Sequence, residues 1–149
     1  MIDLAVAVAA SLARRFEGYY LTPYLCPAGV PTIGYGATYY EDGPSVTLLD
    51  PAITRERAEA LLLWMVRTRY LLAVLRICPG VDNPKRLAAL IDFAFNLGTG
   101  ALKSSTLRRK VNAGAWDEVP TELRKWVKAA GRVLRGLFLR REAEASLIP

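Results

Sequence analysis

Three side chains that can move protons or hold a water stand near the start of the chain. They are Glu17, Cys26 and Thr32, with eight residues between the first two and five between the second and third. They lie within RRFEGYYLTPYLCPAGVPTIGYGAT, residues 14–38. Glu17 follows an apolar, helix-favouring run over residues 2–16 and precedes Gly18, a residue suited to the position just past a helix. Glu17 then falls at the negative end of the helix macrodipole, where a carboxylate charge is disfavoured. Burial beside Phe16 would act in the same direction. A carboxyl kept neutral in this way is what a general acid requires. Taken alone, Glu17 reads equally as a solvated residue at a helix end, Cys26 as a small buried hydrophobe and Thr32 as an ordinary strand residue. The chain contains no histidine. That removes Ser-His and Cys-His catalysis, imidazole bases and His-ligated zinc, so acid–base work falls on Asp, Glu, Lys, Tyr or Cys. Two cysteines cannot form a four-thiolate metal site either, and neither a metal nor another cofactor is expected.

The elements that must position these groups can be read from pattern. Residues 2–16 predict a first helix. Residues 18–36 are rich in Tyr, Thr, Val and Ile and broken by Pro23, Pro27, Gly29 and Pro31, which predicts a small antiparallel sheet with tight turns. Residues 38–53 read as loop. Thr54 is a candidate N-cap for a long helix running to Ile77, where Pro79-Gly80 stops it. Asn83-Pro84 opens the next helix. Its run LAALIDFAFNL is nearly all apolar and marks the buried centre of the larger lobe. Ser104 or Ser105 caps a short helix ending at Gly114. A helical stretch is expected over residues 116–130 around Pro120, closed by Gly131, and a last helix over 134–147. The predicted fold is α+β but mostly α. A β-rich lobe of about residues 18–53 and a helical lobe of about 54–149, joined by helix 2–16, make one domain over 1–149 with a cleft between the lobes.

At 149 residues, with 52% hydrophobic content, the chain can build a real core. Its net charge of +6 points to an anionic partner, whether nucleic acid, anionic lipid or an acidic wall polymer,. One cysteine pair suggests reduced thiols. The apolar run at 4–13 is too short to span a bilayer and lacks the charged start of a secretory signal.

The spacing Glu17-x8-Cys26-x5-Thr32 resembles the phage-type lysozymes, the endolysin family related to phage T4 lysozyme. Their pattern is Glu, eight residues, Asp or Cys, five residues, Thr. The flanking FEG and TIGYG match as well. FAFNLGTGALKSSTLRRKVNAG (93–114) is similar to the family's FNxG…STL…NxG segment, and GLFLRREAEASL (136–147) to its closing GLxxRRxAExxL helix. One position departs: the family often carries His after TIGYG, where this chain has Ala37. The resemblance implies a lysozyme-like fold. It also implies hydrolysis of the β-1,4 bond between N-acetylmuramic acid and N-acetylglucosamine in bacterial peptidoglycan. Glu17 would be the general acid, and Cys26 and Thr32 would hold water or meet the developing positive charge. It further implies that Arg140 on the last helix pairs with Glu17, and that Thr38, Phe95, Asn96 and Thr106 line the sugar cleft. Without the resemblance, Arg140 and Arg141 read equally as solvated surface charges and Phe95 as core. Inversion at the anomeric carbon is expected.

By the same analogy the protein is a monomer made in the host bacterial cytoplasm, and it reaches the wall with a separate holin-type protein that permeabilises the membrane. Two alternatives stay open. One is a lysozyme fold that binds wall without cleaving it, which Cys26 and Ala37 keep in play. The other is a basic nucleic-acid-binding module with a helix-turn-helix in STLRRKVNAGAWDEVPTELRKW. It leaves the Glu17–Thr32 constellation unexplained, so no nucleic-acid partner is expected.

Overall fold

Small side chains decide how the first helix packs. In the computed structural model, which describes residues 1–149, α1 (Ile2–Phe16) buries Ala5, Val6, Ala9, Ala10 and Ala13. These recur every three to four residues and make one narrow face. That face lies against α4 (Pro84–Leu97). Asn83 starts α4 by accepting the main-chain N–H groups of Lys85 and Arg86 at 2.9 and 3.1 Å. Pro84 at the first helical position forfeits only an N–H that would have had no partner in the helix. From Leu87 to Ala94 every residue of α4 is buried. It is the axis of the helical lobe, as its apolar run requires.

The sheet is a hairpin. β1 (Tyr20–Leu25) pairs antiparallel with β2 (Pro31–Gly34), placing Tyr24 opposite Thr32 and Leu25 opposite Pro31. The connecting turn closes through two main-chain bonds, Gly29 N–H to the Cys26 carbonyl at 2.8 Å and Cys26 N–H to the Val30 carbonyl at 3.1 Å. Gly29 takes φ +76°, a conformation that side chains disfavour,. Residues 38–53 form no strand beyond an isolated Tyr39–Ser45 bridge.

The helix that follows is capped by Thr54, whose hydroxyl accepts the Arg57 N–H at 3.0 Å. It is not one uniform α-helix as the pattern predicts. α2 (Arg55–Trp64) passes into a π-helical segment (Met65–Tyr70) and then into α3 (Leu71–Ile77). The wider turn leaves no mark in the apolar periodicity. Beyond α4 come α5 (Thr99–Lys103) and α6 (Thr106–Asn112), the latter capped by Ser105 through the Arg108 N–H at 3.0 Å.

The expected helix over 116–130 is mostly absent. Only α7 (Val119–Leu123) is helical, with Pro120 in its first turn. A second small hairpin, β3 (Lys128–Ala129) with β4 (Arg132–Val133), follows it. Ala130 and Gly131 both have positive φ, 52° and 77°, which is the two-residue turn that matches strand twist. Alanine rarely enters that region, so the dipeptide does not advertise a hairpin. The stretch read as a possible helix-turn-helix therefore has no second helix long enough to enter a groove of DNA. α8 (Arg135–Ala145) closes the chain and packs on α4, α7 and α1. No helix is long and apolar enough to cross a membrane. The fold is α+β and mostly α, with a small antiparallel sheet beside a helical lobe that carries the second hairpin.

Candidate active site

Strand pleat explains the spacing of the second and third residues. Side chains two apart on a strand share a face, as do directly opposed cross-strand partners. Tyr24 opposes Thr32, and Cys26 lies two residues beyond Tyr24. The hairpin therefore presents Tyr24, Cys26 and Thr32 to one side. Glu17 arrives from the end of α1. It is the first residue past the helix, with extended backbone (φ −92°, ψ 138°), and its N–H still bonds to the Ala13 carbonyl. Gly18 needs no left-handed conformation here, so the extended Glu17 itself ends the helix. Leaving the helical path carries Glu17 into a hollow of about 300 Å³, which Tyr24, Cys26, Thr32, Tyr35, Thr38, Tyr70 and Phe95 also line.

The Thr32 side chain is buried, and its hydroxyl donates to the Val30 carbonyl at 2.8 Å. Its oxygen lone pairs remain to accept. Cys26 is a free thiol, partly exposed. Hydrogen bonding by the main chain, chiefly at Val30 and also at Ala28, holds it below the usual thiol range, while what burial it has opposes the shift. Phe95 packs against Tyr70 with ring centroids 5.0 Å apart. Burial first of all pushes the Tyr24 and Tyr70 hydroxyls up, so both stay neutral. Ala37, where the family often has histidine, is fully buried in the core. It presents no chemistry to the hollow.

Behind Glu17 lies a buried ionic cluster. Arg140, from α8, donates through Nη1 to Glu17 Oε1 at 2.8 Å. Its Nε and Nη2 donate to the two oxygens of Asp92 on α4, at 2.9 and 2.7 Å. Arg140 is 3% exposed and Asp92 fully buried. Arg141 donates through Nη2 to Asn96 Oδ1 at 2.8 Å and to Glu144 Oε1 at 2.7 Å. Neither arginine is the solvated surface charge that the RR pair alone allows.

The other expected residues are placed as follows. Thr38 and Phe95 line the Glu17 hollow. Asn96 lines a second hollow of about 280 Å³ on the far side of Glu17, with Phe16, Leu134, Gly136, Leu137 and Arg140. Thr106 lines neither. It faces a separate depression with Arg109, Lys110 and Ala113, and its hydroxyl oxygen accepts from Arg109 at 2.8 Å. Sequence reasoning passed over Tyr24, Tyr35 and Tyr70, which read as ordinary strand and helix aromatics. It also passed over Asp92. A lone acid inside an otherwise apolar buried helix is itself a signal, because such a charge needs a partner.

The chain is similar to known proteins along nearly its whole length. Residues 14–144 match the Phage lysozyme family. The chain is 35% identical to the endolysin of Acyrthosiphon pisum secondary endosymbiont phage 1 over 141 residues, covering 91% of each. It is 36% identical to the endolysin of Bacillus phage B103 over 137 residues, or 92% of this chain, and spans 51% of that longer protein. Among solved structures it is similar to the endolysin from Escherichia coli O157:H7 phage FAHEc1. There the TM-score is 0.80 at 30% identity, over 95% of this chain and 90% of that one.

Proposed function

The chain belongs to the phage lysozyme family and is a glycoside hydrolase of the lysozyme type, and on that premise we propose that Glu17 is its general acid in cleaving peptidoglycan. The bond is the β-1,4 linkage between N-acetylmuramic acid and N-acetylglucosamine. The observation that carries this is the position of Glu17, which shares one hollow with Cys26 and Thr32 while Arg140 holds one of its oxygens at 2.8 Å. The neutral carboxyl accepts from Arg140 on one oxygen and delivers its proton from the other to the leaving glycosidic oxygen.

The second group in such a reaction either activates a water or attacks the sugar itself. Here Thr32 has its proton committed to the Val30 carbonyl, and Cys26 is drawn toward the thiolate. Both then accept hydrogen bonds from one water, whose oxygen attacks the anomeric carbon as one of its protons passes to the Cys26 sulfur and the glycosidic bond breaks. The outcome is inversion. Thr38, Phe95 and Asn96 would contact sugar, and Thr106 would meet only material beyond the Glu17 hollow. By family analogy the protein acts as a monomer. Made in the host cytoplasm, it reaches the wall when a separate holin-type protein opens the membrane.

The test is Glu17→Gln. Release of reducing ends from purified peptidoglycan should fall by about a thousandfold, the scale of a lost general acid, with thermal melting unchanged. Turnover within tenfold of wild type defeats the assignment.

A further inference from the structure

Arg108 and Asn112 stand four residues apart on α6 and so share a face,. Both reach the Ile77 carbonyl at the end of α3, through Arg108 Nε at 3.2 Å and Asn112 Nδ2 at 3.1 Å. Arg108 Nη1 also donates to the Lys103 carbonyl at the end of α5, at 3.1 Å. Carbonyls in the last turn of a helix have no partner within it. Arg108 therefore closes two helix ends at once. Its guanidinium is fixed by neutral carbonyls, with no carboxylate paired to it and Nη2 left free. The fixed cation is the wall between two hollows. One, of about 480 Å³, is also lined by Lys103, Arg109 and Asn112. The other, of about 380 Å³, is also lined by Arg76 and Lys103. Arg109 leads on to a third of about 340 Å³, which Lys110 lines. No carboxylate and no aromatic ring lines any of the three. Of these five cations only Lys110 pairs with an acid, Glu118 at 3.1 Å. The three hollows share no lining residue with the Glu17 hollow.

We propose that this basic tract is a second binding site, apart from the Glu17 hollow, for an anionic wall polymer whose polyol or sugar units are joined by phosphodiesters. It rests on the wall as the place of action, and not on which carboxyl is the acid. A run of joined hollows, each lined by two or more cations, suits a flexible chain that carries a charge at every repeat. Phosphodiester oxygens accept charge-assisted hydrogen bonds from Arg and Lys. Ser104, Asn112 and Thr106 line the same hollows and suit the hydroxyls of each repeat,. A single-stranded nucleic acid would find no ring on which to stack its bases. A lipid surface would need apolar side chains to insert, and the largest here, Ile77, is buried,. Held at this tract, the enzyme stays on the wall between cleavages, which raises the effective concentration of substrate at the Glu17 hollow.

The test titrates the full protein against a fluorescent poly(glycerol phosphate) chain at physiological salt and follows anisotropy. Polyglutamate, single-stranded DNA and phosphatidylglycerol vesicles serve as competitors at matched charge. The expected result is saturable binding that unlabelled polymer displaces and the three competitors displace far less well. The double variant Arg76→Gln, Lys103→Gln should bind about tenfold more weakly or worse, the scale of a lost charge-assisted hydrogen bond. Its melting temperature should not move, because both side chains are exposed. Lys128→Gln with Arg132→Gln removes the same charge from the exposed second hairpin and should bind as wild type does. The Arg76 and Lys103 variant should also cleave polymer-stripped peptidoglycan at the wild-type rate and polymer-bearing wall more slowly. Absence of saturable binding, equal losses in the two double variants, or a competitor that displaces the chain as well as the polymer itself overturns the proposal. Retained turnover in Glu17→Gln would defeat the general-acid reading while leaving this binding untouched, so the two failures are distinguishable.

Discussion

The thiols of Cys26 and Cys78 differ in the charge that their surroundings favour. Cys78 is fully buried at the end of α3, and burial pushes it up to about 11. It stays neutral and unreactive at any physiological pH. Cys26, at the mouth of the first hairpin, is drawn the other way by the Val30 main chain. Iodoacetamide at neutral pH should therefore label Cys26 and leave Cys78 untouched in the folded protein. Labelling should inactivate the enzyme, because the added group fills the Glu17 hollow. Cys26→Asp should be active and resistant to the reagent, and Cys26→Ala should lose most turnover. Peptide mass spectrometry alongside reducing-end release checks all three. Full activity in Cys26→Ala would remove Cys26 from the mechanism, and a glycosyl adduct on its sulfur would make it a nucleophile instead.

α1 matters because its end carries Glu17. Its buried face is built from alanines, which let it approach α4, the helix that carries Asp92, Phe95 and Asn96. The separation of the two helices thus sets where the acid stands relative to Asp92 and the hollow. Ala9→Leu would force them apart. Overpacking of this kind costs about 1–3 kcal/mol. The melting temperature should fall accordingly, but turnover measured well below melting should fall further, by about tenfold or more, since small misplacements of reacting groups are costly. A variant that loses stability and keeps wild-type turnover would show that the spacing of α1 and α4 does not position the acid.

For the molecule as a whole, the buried cluster links folding to pH. Glu144 has a raised value in the folded state, so the native protein binds a proton that the unfolded chain has already released. Stability from this source is complete below the ordinary value of 4.5 and is lost as pH rises through the folded value,. Groups such as Glu41, which bonding to Arg57 holds below the usual range, act with the opposite sign. They lose their contribution as pH falls. Glu144→Gln removes the first term and leaves the second. Melting temperatures of the two proteins should therefore diverge from about pH 5 upward, with the Gln variant gaining on wild type. Parallel curves over pH 4–8 would mean that Glu144 carries no proton to lose.

Much of this protein is written locally. The end of α1, the helix starts at Thr54, Asn83 and Ser105, and the turn from Cys26 to Val30 each depend on residues a few positions apart. Backbone dihedrals, capping bonds and side-chain period are set over that range. The offsets of Glu17, Cys26 and Thr32 are legible for the same reason, since one helix end and one hairpin fix all three. The bond from Arg140 to Glu17 spans 123 residues, and here the motif in the last helix indicated a pairing that no periodicity could supply. The second hairpin escaped detection because Ala130 adopts a conformation that its residue type disfavours. The π segment escaped because an apolar face does not record one wider turn. Asp92 and Glu144 are visible as acids in the sequence, but not as the partners of Arg140 and Arg141. Which charges are buried together, and which of them must keep a proton, is decided only when α1, α4 and α8 pack and exclude water from the space between them.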